Sequence, residues 1–290
     1  LEIENVISLF DGISCGQLAL NKANIKYSNY YASEIDKYAI QVTQHNFPNT
    51  IQIGDVTKVE GKNFKNVGLL IGGSPCQGFS FAGKQLNFSD PRSKLFFEFV
   101  RLKNELQPKY FLLENVKMKK EFQDVISYYL GVKPIEINSS LVSAQSRRRL
   151  YWTNIPNIEL PTDKNLYIKD ILEEQVDSKY FLSKKGVVGN IKSSYEDRQP
   201  LSINSKSRCL KVGGNKVNIV KDWEYWQSLN ENSNIDLERL GARNLTPKEY
   251  ERLQTVPDNY TSILSDAQRY KSLGNGWTVD VIAHIFKHMI

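Results

Sequence analysis

Cysteine and histidine are scarce in this chain of 290 residues, with three of each. The cysteines, Cys15, Cys76 and Cys209, are odd in number and far apart, which argues against a disulfide framework. No pair stands at zinc-ligand spacing. His284 and His288 lie one helical turn apart without a third ligand nearby, so they read as helix-surface residues and no metal is expected. Long apolar runs are missing too, which leaves no candidate for a membrane span. The opening residues, Leu1 to Asn5, show neither the basic nor the apolar region of a secretory leader, so a cytoplasmic protein is expected. There is no G-x-G-x-x-G fingerprint and no P-loop, and hence no implied phosphate site. No internal repeat or low-complexity tract is visible.

What is present is an ordinary globular composition, 40% hydrophobic and 24% charged, with a net charge of +6. The basic excess suits a polyanionic partner but is shared by many unrelated proteins. Up to about residue 155, short apolar runs alternate with helix-like spacing. Asn5–Phe10, Tyr30–Ser33, Gly68–Ile71 and Tyr110–Leu113 read as strands buried on both faces, and Glu136–Leu141 and Arg149–Thr153 as two more. Gly16–Ala23, Lys37–Asn46, Ser93–Glu105 and Lys120–Leu130 read as helices. That order predicts an α/β fold with an open, mostly parallel sheet and helices on both faces. From Asn154 to Arg243 no long amphipathic helix is evident. Lys184–Lys221 carries nine Lys or Arg against Glu196 and Asp197, which fits either a solvated irregular insertion or a polyanion-binding segment. Thr246 then offers a helix cap with Pro247 at the first helical position, and Thr278–Met289 reads as an amphipathic helix.

In open parallel sheets, ligands sit beyond the carboxyl ends of the strands, so the residues just after each strand matter most. Phe10-Asp11-Gly12-Ile13-Ser14-Cys15-Gly16 is a glycine-bracketed turn that lets backbone approach a ligand. After the second strand, Glu34 is placed to accept hydrogen bonds from both hydroxyls of a ribose. Gly54-Asp55-Val56 offers an acceptor for an adenine amine and an apolar wall. Each acid alone is equally a surface residue. Three in register point to an adenosine cofactor without a pyrophosphate, which S-adenosylmethionine fits. Gly72-Gly73-Ser74-Pro75-Cys76-Gln77-Gly78 puts a cysteine beyond an apolar run and behind a stiffening proline. A cysteine so placed is either a small hydrophobe or a nucleophile. Phe111-Leu112-Leu113 delivers Glu114-Asn115 to the same sheet edge, where a carboxyl suits proton donation. Gln145-Ser146-Arg147-Arg148-Arg149 alternates at strand period, placing Arg147 and Arg149 on one face.

Gly73-Ser74-Pro75-Cys76-Gln77, Glu114-Asn115-Val116 and Gln145-x-Arg147-x-Arg149 are ordered and spaced as in the cytosine-5 DNA methyltransferase family, which this chain resembles. Arg243-x-Leu245-Thr246-Pro247-x-Glu249-x-x-Arg252-Leu253-Gln254 and Gly274-Asn275-Gly276-Trp277-Thr278-Val279 resemble two later motifs of that family. Ser8-Leu9-Phe10-Asp11-Gly12-Ile13 and Leu95-Phe96-Phe97-Glu98-Phe99 look most like the animal de novo branch, where bacterial members usually have Ala-Gly at Asp11-Gly12. Pro75-Cys76-Gln77 is bacterial in flavour, so the resemblance implies a bacterial or phage enzyme related to the de novo branch.

The resemblance implies a Rossmann-like, S-adenosylmethionine-dependent methyltransferase sheet in residues 1–153. It implies a small irregular target recognition domain in 154–242, and a return to the catalytic domain in 243–290. By the same resemblance, the Cys76 thiolate adds to carbon 6 of a cytosine flipped out of double-stranded DNA. Glu114 holds the exocyclic amine and ring nitrogen 3, and Arg147 and Arg149 contact the base carbonyl and settle charge. The cofactor contacts implied are Phe10, stacked on adenine, with Asp11, Gly12, Ile13, Glu34, Asp55, Val56, Gly73, Asn275 and Trp277. Gln77, Lys84 and Arg92 belong to a loop that would close over the base. Lys206, Arg208 and Lys211 are expected to meet DNA, mostly at phosphates, with Arg208 a candidate base reader. S-adenosylhomocysteine would be the product and a cognate restriction endonuclease a possible companion. Two rival readings are a transfer RNA cytosine-5 methyltransferase, whose Cys-Phe-Thr signature is missing here, and a non-catalytic DNA-binding homologue.

Overall fold

A computed structural model describes residues 1–74, 94–212 and 216–289, which divide into two compact units. The first comprises Leu1–Asn138, Arg148–Pro161 and Gly276–Ile290. Its sheet has seven strands: β1 (Glu2–Leu9), β2 (Lys26–Ser33), β3 (Ile51–Gln52), β4 (Val67–Gly73), β5 (Tyr110–Val116), β6 (Ile135–Asn138) and β7 (Arg148–Thr153). They lie in the order β3-β2-β1-β4-β5-β7-β6. The pairs from β3 through β5 are parallel, while β7 runs antiparallel to both neighbours.

Two layers of helix cover the sheet because its central strands are apolar on both sides. Side chains of one parity, among them Ile7, Leu9, Leu70, Phe111, Leu113, Leu150 and Trp152, join a core with Phe96, Phe99 and Leu102 of α3 (Lys94–Leu106) and Ile126 and Leu130 of α4 (Lys120–Leu130). Burying each such side chain contributes about 1.5–3 kcal/mol. Trp152 also satisfies its indole N–H by donating to Ser127 Oγ of α4 at 2.9 Å. On the opposite face, Gly16 of α1 (Cys15–Lys22) packs so tightly that a Cβ there would lie 2.4 Å from Ile71 Cδ1. The final helix, α10 (Val279–Phe286), packs against α1. It is shorter than the predicted Thr278–Met289, and six of its eight residues are buried. It is a core helix rather than a surface one. The remaining helix of this unit, α2 (Lys37–Asn46), is capped by Asp36, which accepts from the N–H groups of Tyr38 and Ala39.

Strand limits shift in physically understandable ways. β2 starts four residues ahead of the predicted Tyr30, because Lys26 to Asn29 alternate exposed and half-buried along a sheet partner. β6 ends at Asn138, and Ser139–Leu141 close into a tight helical turn instead of continuing the predicted Glu136–Leu141 strand. The two-residue β3 was too short to show as an apolar run.

The second unit comprises Ser139–Arg147 and Thr162–Asn275. It holds a small sheet, β10-β9-β8, made of β8 (Leu201–Ser202), β9 (Asn218–Val220) and β10 (Arg243–Asn244). Its helices are α5 (Lys184–Ile191), α6 (Trp223–Ser228), α7 (Leu237–Leu240), α8 (Pro247–Leu253) and α9 (Asp266–Asn275). Val187, Val220, Ile235, Leu240 and Ala242 form one core, with Trp223 and Trp226 packed on it. The stretch predicted to lack a long helix therefore contains short ones. Thr246 caps α8 as expected, accepting from Glu249 N while Glu249 accepts from Thr246 N. Both oxygens of Glu249 also take the Arg243 guanidinium, at 2.7 Å each.

These units draw their boundaries differently from the expected 1–153, 154–242 and 243–290. Residues 154–161 group with the first unit, and 139–147 and 243–275 with the second. Side-chain bonding explains the reassignment. Gln145 donates to Leu253 O and Gln254 Oε1 and accepts from Leu210 N, and Arg243 locks α8 to its own strand. Among the described residues no helix is long and apolar enough to cross a membrane, and no group of three His, Cys, Asp or Glu is arranged to hold a metal.

Candidate functional site

In the first unit, the turns after β1, β2 and β3 are stitched together by backbone and carboxylate bonds. Phe10, Gly12 and Ser14 all take left-handed backbone, with φ of 57°, 60° and 60°. At Gly12 this is a position where only glycine is relaxed, and a Cβ there would meet nothing within 4 Å. Glu34 Oε2 accepts from Gly12 N at 2.8 Å, and Oε1 accepts from Ile35 N and Asp36 N at 2.7 and 2.8 Å. Ser33 ties the third turn to the first, since its Oγ donates to Gly54 O at 2.7 Å and its carbonyl accepts from Asp11 N at 3.1 Å. Thr43 Oγ donates to Gly12 O from α2. Asp55 caps the short turn Val56–Lys58, accepting from Thr57 N and Oγ, and these bonds hold its carboxyl below the usual range. Phe10 is half-buried, Ile13 and Val56 fully, and Phe10 and Val56 both pack into the core. Phe10, Asp11, Gly12, Ile13, Glu34, Asp55 and Val56 thus gather at the carboxyl ends of β1 to β3.

Asp11 is the odd member of this group. Its Oδ1 accepts from Tyr30 Oη at 2.8 Å, while Oδ2 is buried with no partner. Burial pushes its carboxyl up to about 6, against the pull of the Ser8, Tyr30 and Ser14 hydroxyls.

A second cluster forms where β4 and β5 end and β7 begins. Register pairs Gly73 with Glu114 and Val116 with Arg149. Glu114 Oε1 meets Arg149 Nε at 2.9 Å, and Oε2 accepts from Trp277 Nε1 at 3.1 Å. Gly73 is needed for this fit, as a Cβ would stand 2.9 Å from Trp277 Nε1 and 3.1 Å from Glu114 Oε2. Asn115 donates to Ser74 Oγ at 3.1 Å. The carboxyl predicted behind an apolar run is therefore not isolated, but held between a cation and an indole.

β7 begins at Arg148, so Arg147 stands one residue ahead of the strand that carries Arg149, and its carbonyl accepts from Ser139 N at 2.9 Å. Arg147 belongs to the second unit, only 5% exposed, and donates to Leu210 O at 3.1 Å and Gly274 O at 3.4 Å with Cys209 Sγ alongside. Asn275 ends α9 in the second unit and is exposed, whereas Trp277 belongs to the first. Lys206 donates to Ser140 O at 2.7 Å and lies over the Tyr167 ring. Arg208, half-buried, donates to Gln199 O, and Lys211 pairs with Asp197 at 2.9 Å in solvent. Cys76, Gln77, Lys84 and Arg92 lie outside the described residues. Sequence reasoning missed Tyr30, Ser33 and Thr43. Only Ser33 carried a signal, as the polar residue that ends a buried strand beside Glu34.

The sequence profile of the C-5 cytosine-specific DNA methylase family matches residues 4–126 and 128–290. The chain belongs to that family. It is an S-adenosylmethionine-dependent DNA (cytosine-5-)-methyltransferase. Among curated relatives, it is 33% identical to the type II methyltransferase M1.ScrFI of Lactococcus lactis subsp. cremoris, over 98% of this chain and 77% of that protein. It is 30% identical to the type II methyltransferase M.NlaX of Neisseria lactamica, over 98% of this chain and 95% of the other. Among solved structures, the methyltransferase EhMeth of Entamoeba histolytica superimposes with a TM-score of 0.80 at 21% identity, covering 99% of this chain and 98% of that one. At that identity the likeness speaks for the fold, and the family's mostly parallel methyltransferase sheet agrees with the architecture described above.

Proposed function

We infer that this methyltransferase acts on a cytosine turned out of double-stranded DNA, with Cys76 as nucleophile and Glu114 as the group that holds the base. The observation that carries the reading is the Arg149–Glu114–Trp277 clamp beside Gly73, three residues ahead of Cys76 in sequence. The Cys76 thiolate adds to carbon 6 of the ring, making carbon 5 nucleophilic. Glu114 takes the exocyclic amine and ring nitrogen 3 while negative charge builds on the base. Arg149 keeps the carboxylate of Glu114 aimed. Arg147, which donates to Leu210 O and Gly274 O, would contact the base carbonyl. Loss of the carbon-5 proton finally expels Cys76.

S-adenosylmethionine, when bound, supplies the methyl group that carbon 5 accepts and leaves as S-adenosylhomocysteine. The residues present fit such a cofactor. The unpartnered Asp11 Oδ2 suits a cationic donor, and the open sides of Gly12 and Gly54 suit close contact with an adenosine. Phe10 would stack on the adenine, with Asp55 and Val56 beside it and Glu34 on the ribose. Ile13, Gly73, Asn275 and Trp277 would complete the contacts. No metal enters this reading.

The second unit serves target recognition in this proposal. Lys211, exposed and held only by a surface ion pair, would exchange Asp197 for a phosphate at little cost. Arg208 and Lys206 would first release main-chain carbonyls, so they suit base reading or backbone positioning. Gln77, Lys84 and Arg92 would close over the extruded base. The reaction belongs in the cytoplasm of a bacterium or a phage-infected cell. A restriction endonuclease cutting the same unmethylated site is proposed as its companion, since two relatives are named type II methyltransferases.

Trapping tests the reading. Incubated with S-adenosylmethionine and duplexes containing 5-fluorocytosine, the protein is expected to stay covalently joined to DNA, and Cys76→Ala to abolish the adduct. An adduct on RNA but not on DNA would overturn the substrate assignment. DNA binding without any adduct would overturn catalysis.

A further inference from the structure

We propose that Tyr30 is a positioning residue for cofactor binding, acting by fixing which oxygen of Asp11 is left for a cationic partner. The inference rests on the reading of Asp11 as a cofactor contact and goes beyond it by naming what makes Asp11 competent.

Tyr30 lies in the middle of β2, paired with Val6 of β1, and is 2% exposed. Its ring has no room to swing. A Cβ at Gly16 would stand 2.6 Å from the Tyr30 hydroxyl, so the α1 backbone presses directly on that oxygen, and the Tyr27 ring lies 5.7 Å away. From this fixed position the hydroxyl donates to Asp11 Oδ1 at 2.8 Å. One carboxylate oxygen is thereby occupied and the other is buried without a partner. The groups acting on Asp11 are the hydroxyls of Ser8, Ser14 and Tyr30 and the carboxylate of Glu34, with Tyr27 further along β2. None of these is a cation. Burial and the neighbouring Asp11 charge hold the Tyr30 hydroxyl well above its usual range, so it remains a donor at every working pH.

The consequence is a negative site that is costly when empty of positive charge and strengthened by it. A ligand ammonium binds the ionised form of Asp11, so affinity falls as pH drops through about 6. The Tyr30 bond favours that ionised form, and its removal shifts the acid limb toward higher pH.

Calorimetry on the full chain tests this with two probes. S-adenosylhomocysteine carries the ammonium, and methylthioadenosine lacks the whole amino-acid portion. Tyr30→Phe is expected to weaken S-adenosylhomocysteine about tenfold at pH 7, to move its acid limb upward, and to leave methylthioadenosine unchanged. In an Asp11→Asn background, Tyr30→Phe should add nothing. Equal weakening of both probes would mean a merely structural tyrosine and would overturn the proposal. Wild-type affinity in Tyr30→Phe beside weak binding in Asp11→Asn would refute the role of Tyr30 while sparing that of Asp11. Unchanged binding in Asp11→Asn would remove the cofactor reading of Asp11 itself.

Discussion

Glu114 Oε1 and Arg149 Nε stand 2.9 Å apart, on paired strands, with both side chains nearly out of solvent. The pair is short-range in space but long-range in sequence, and it decides what Glu114 can do. A carboxylate tied at one oxygen to a cation and at the other to an indole N–H keeps a single orientation at the sheet edge.

Arg149→Ala should therefore damage chemistry more than cofactor binding. Losing one pre-aimed electrostatic partner typically costs about 100- to 1,000-fold in turnover. Single-turnover methylation, compared with the dissociation constant for S-adenosylhomocysteine, separates the two. A matched loss in both would contradict the assignment.

Gly73→Ala is expected to push the Trp277 indole from Glu114, since its Cβ would stand 2.9 Å from Trp277 Nε1. Overpacking of this kind costs about 1–3 kcal/mol. Urea unfolding should show that loss, and tryptophan fluorescence should report a changed indole environment. A variant as stable and as active as wild type would show the approach to be unimportant.

Asp11 should lower stability at neutral pH. Its folded carboxyl is raised from 3.8 to about 6, so the native state binds the proton more tightly than the unfolded chain. Native stability then falls as pH rises through that window, by on the order of 2–3 kcal/mol. Asp11→Asn is expected to melt higher than wild type at pH 7.5 and to lose that advantage below pH 4. Parallel curves across the whole range would argue against a protonated Asp11.

The Arg243–Glu249 pair, with its carboxylate fully buried, makes the opposite kind of prediction. Arg243→Ala leaves a buried charge without its partner and should cost about 3–5 kcal/mol. Arg243→Met combined with Glu249→Leu should recover part of that loss in urea unfolding. The recovery will be partial because Glu249 also accepts from the backbone of Glu173 and Thr246.

Most of the first unit was legible because its central strands are buried on both faces. Val6 to Leu9 or Leu69 to Ile71 can be nothing but central strands, and the acids that follow them had to arrive at one sheet edge. The insertion of β7 between β5 and β6 was not legible, since no local pattern says which strand Arg148–Thr153 pairs with. The partners of Arg147 were not legible either, since the carbonyls of Leu210 and Gly274 that take its guanidinium lie far along the chain. Tyr30 looked like one more strand aromatic, because its hydroxyl's target lies across the sheet rather than along the chain.

The contact between Gly73 and Trp277 sets a timetable for synthesis. β4 leaves the ribosome early, yet the indole that closes over its last residue follows only after the entire second unit has been made. At roughly 5–20 residues per second, that interval is on the order of ten to forty seconds. During this time the edge of β4 and β5 is translated but unfinished. The nascent chain thus carries an incomplete clamp, and the Glu114 carboxylate gains its indole partner only when the chain comes back to its own first half.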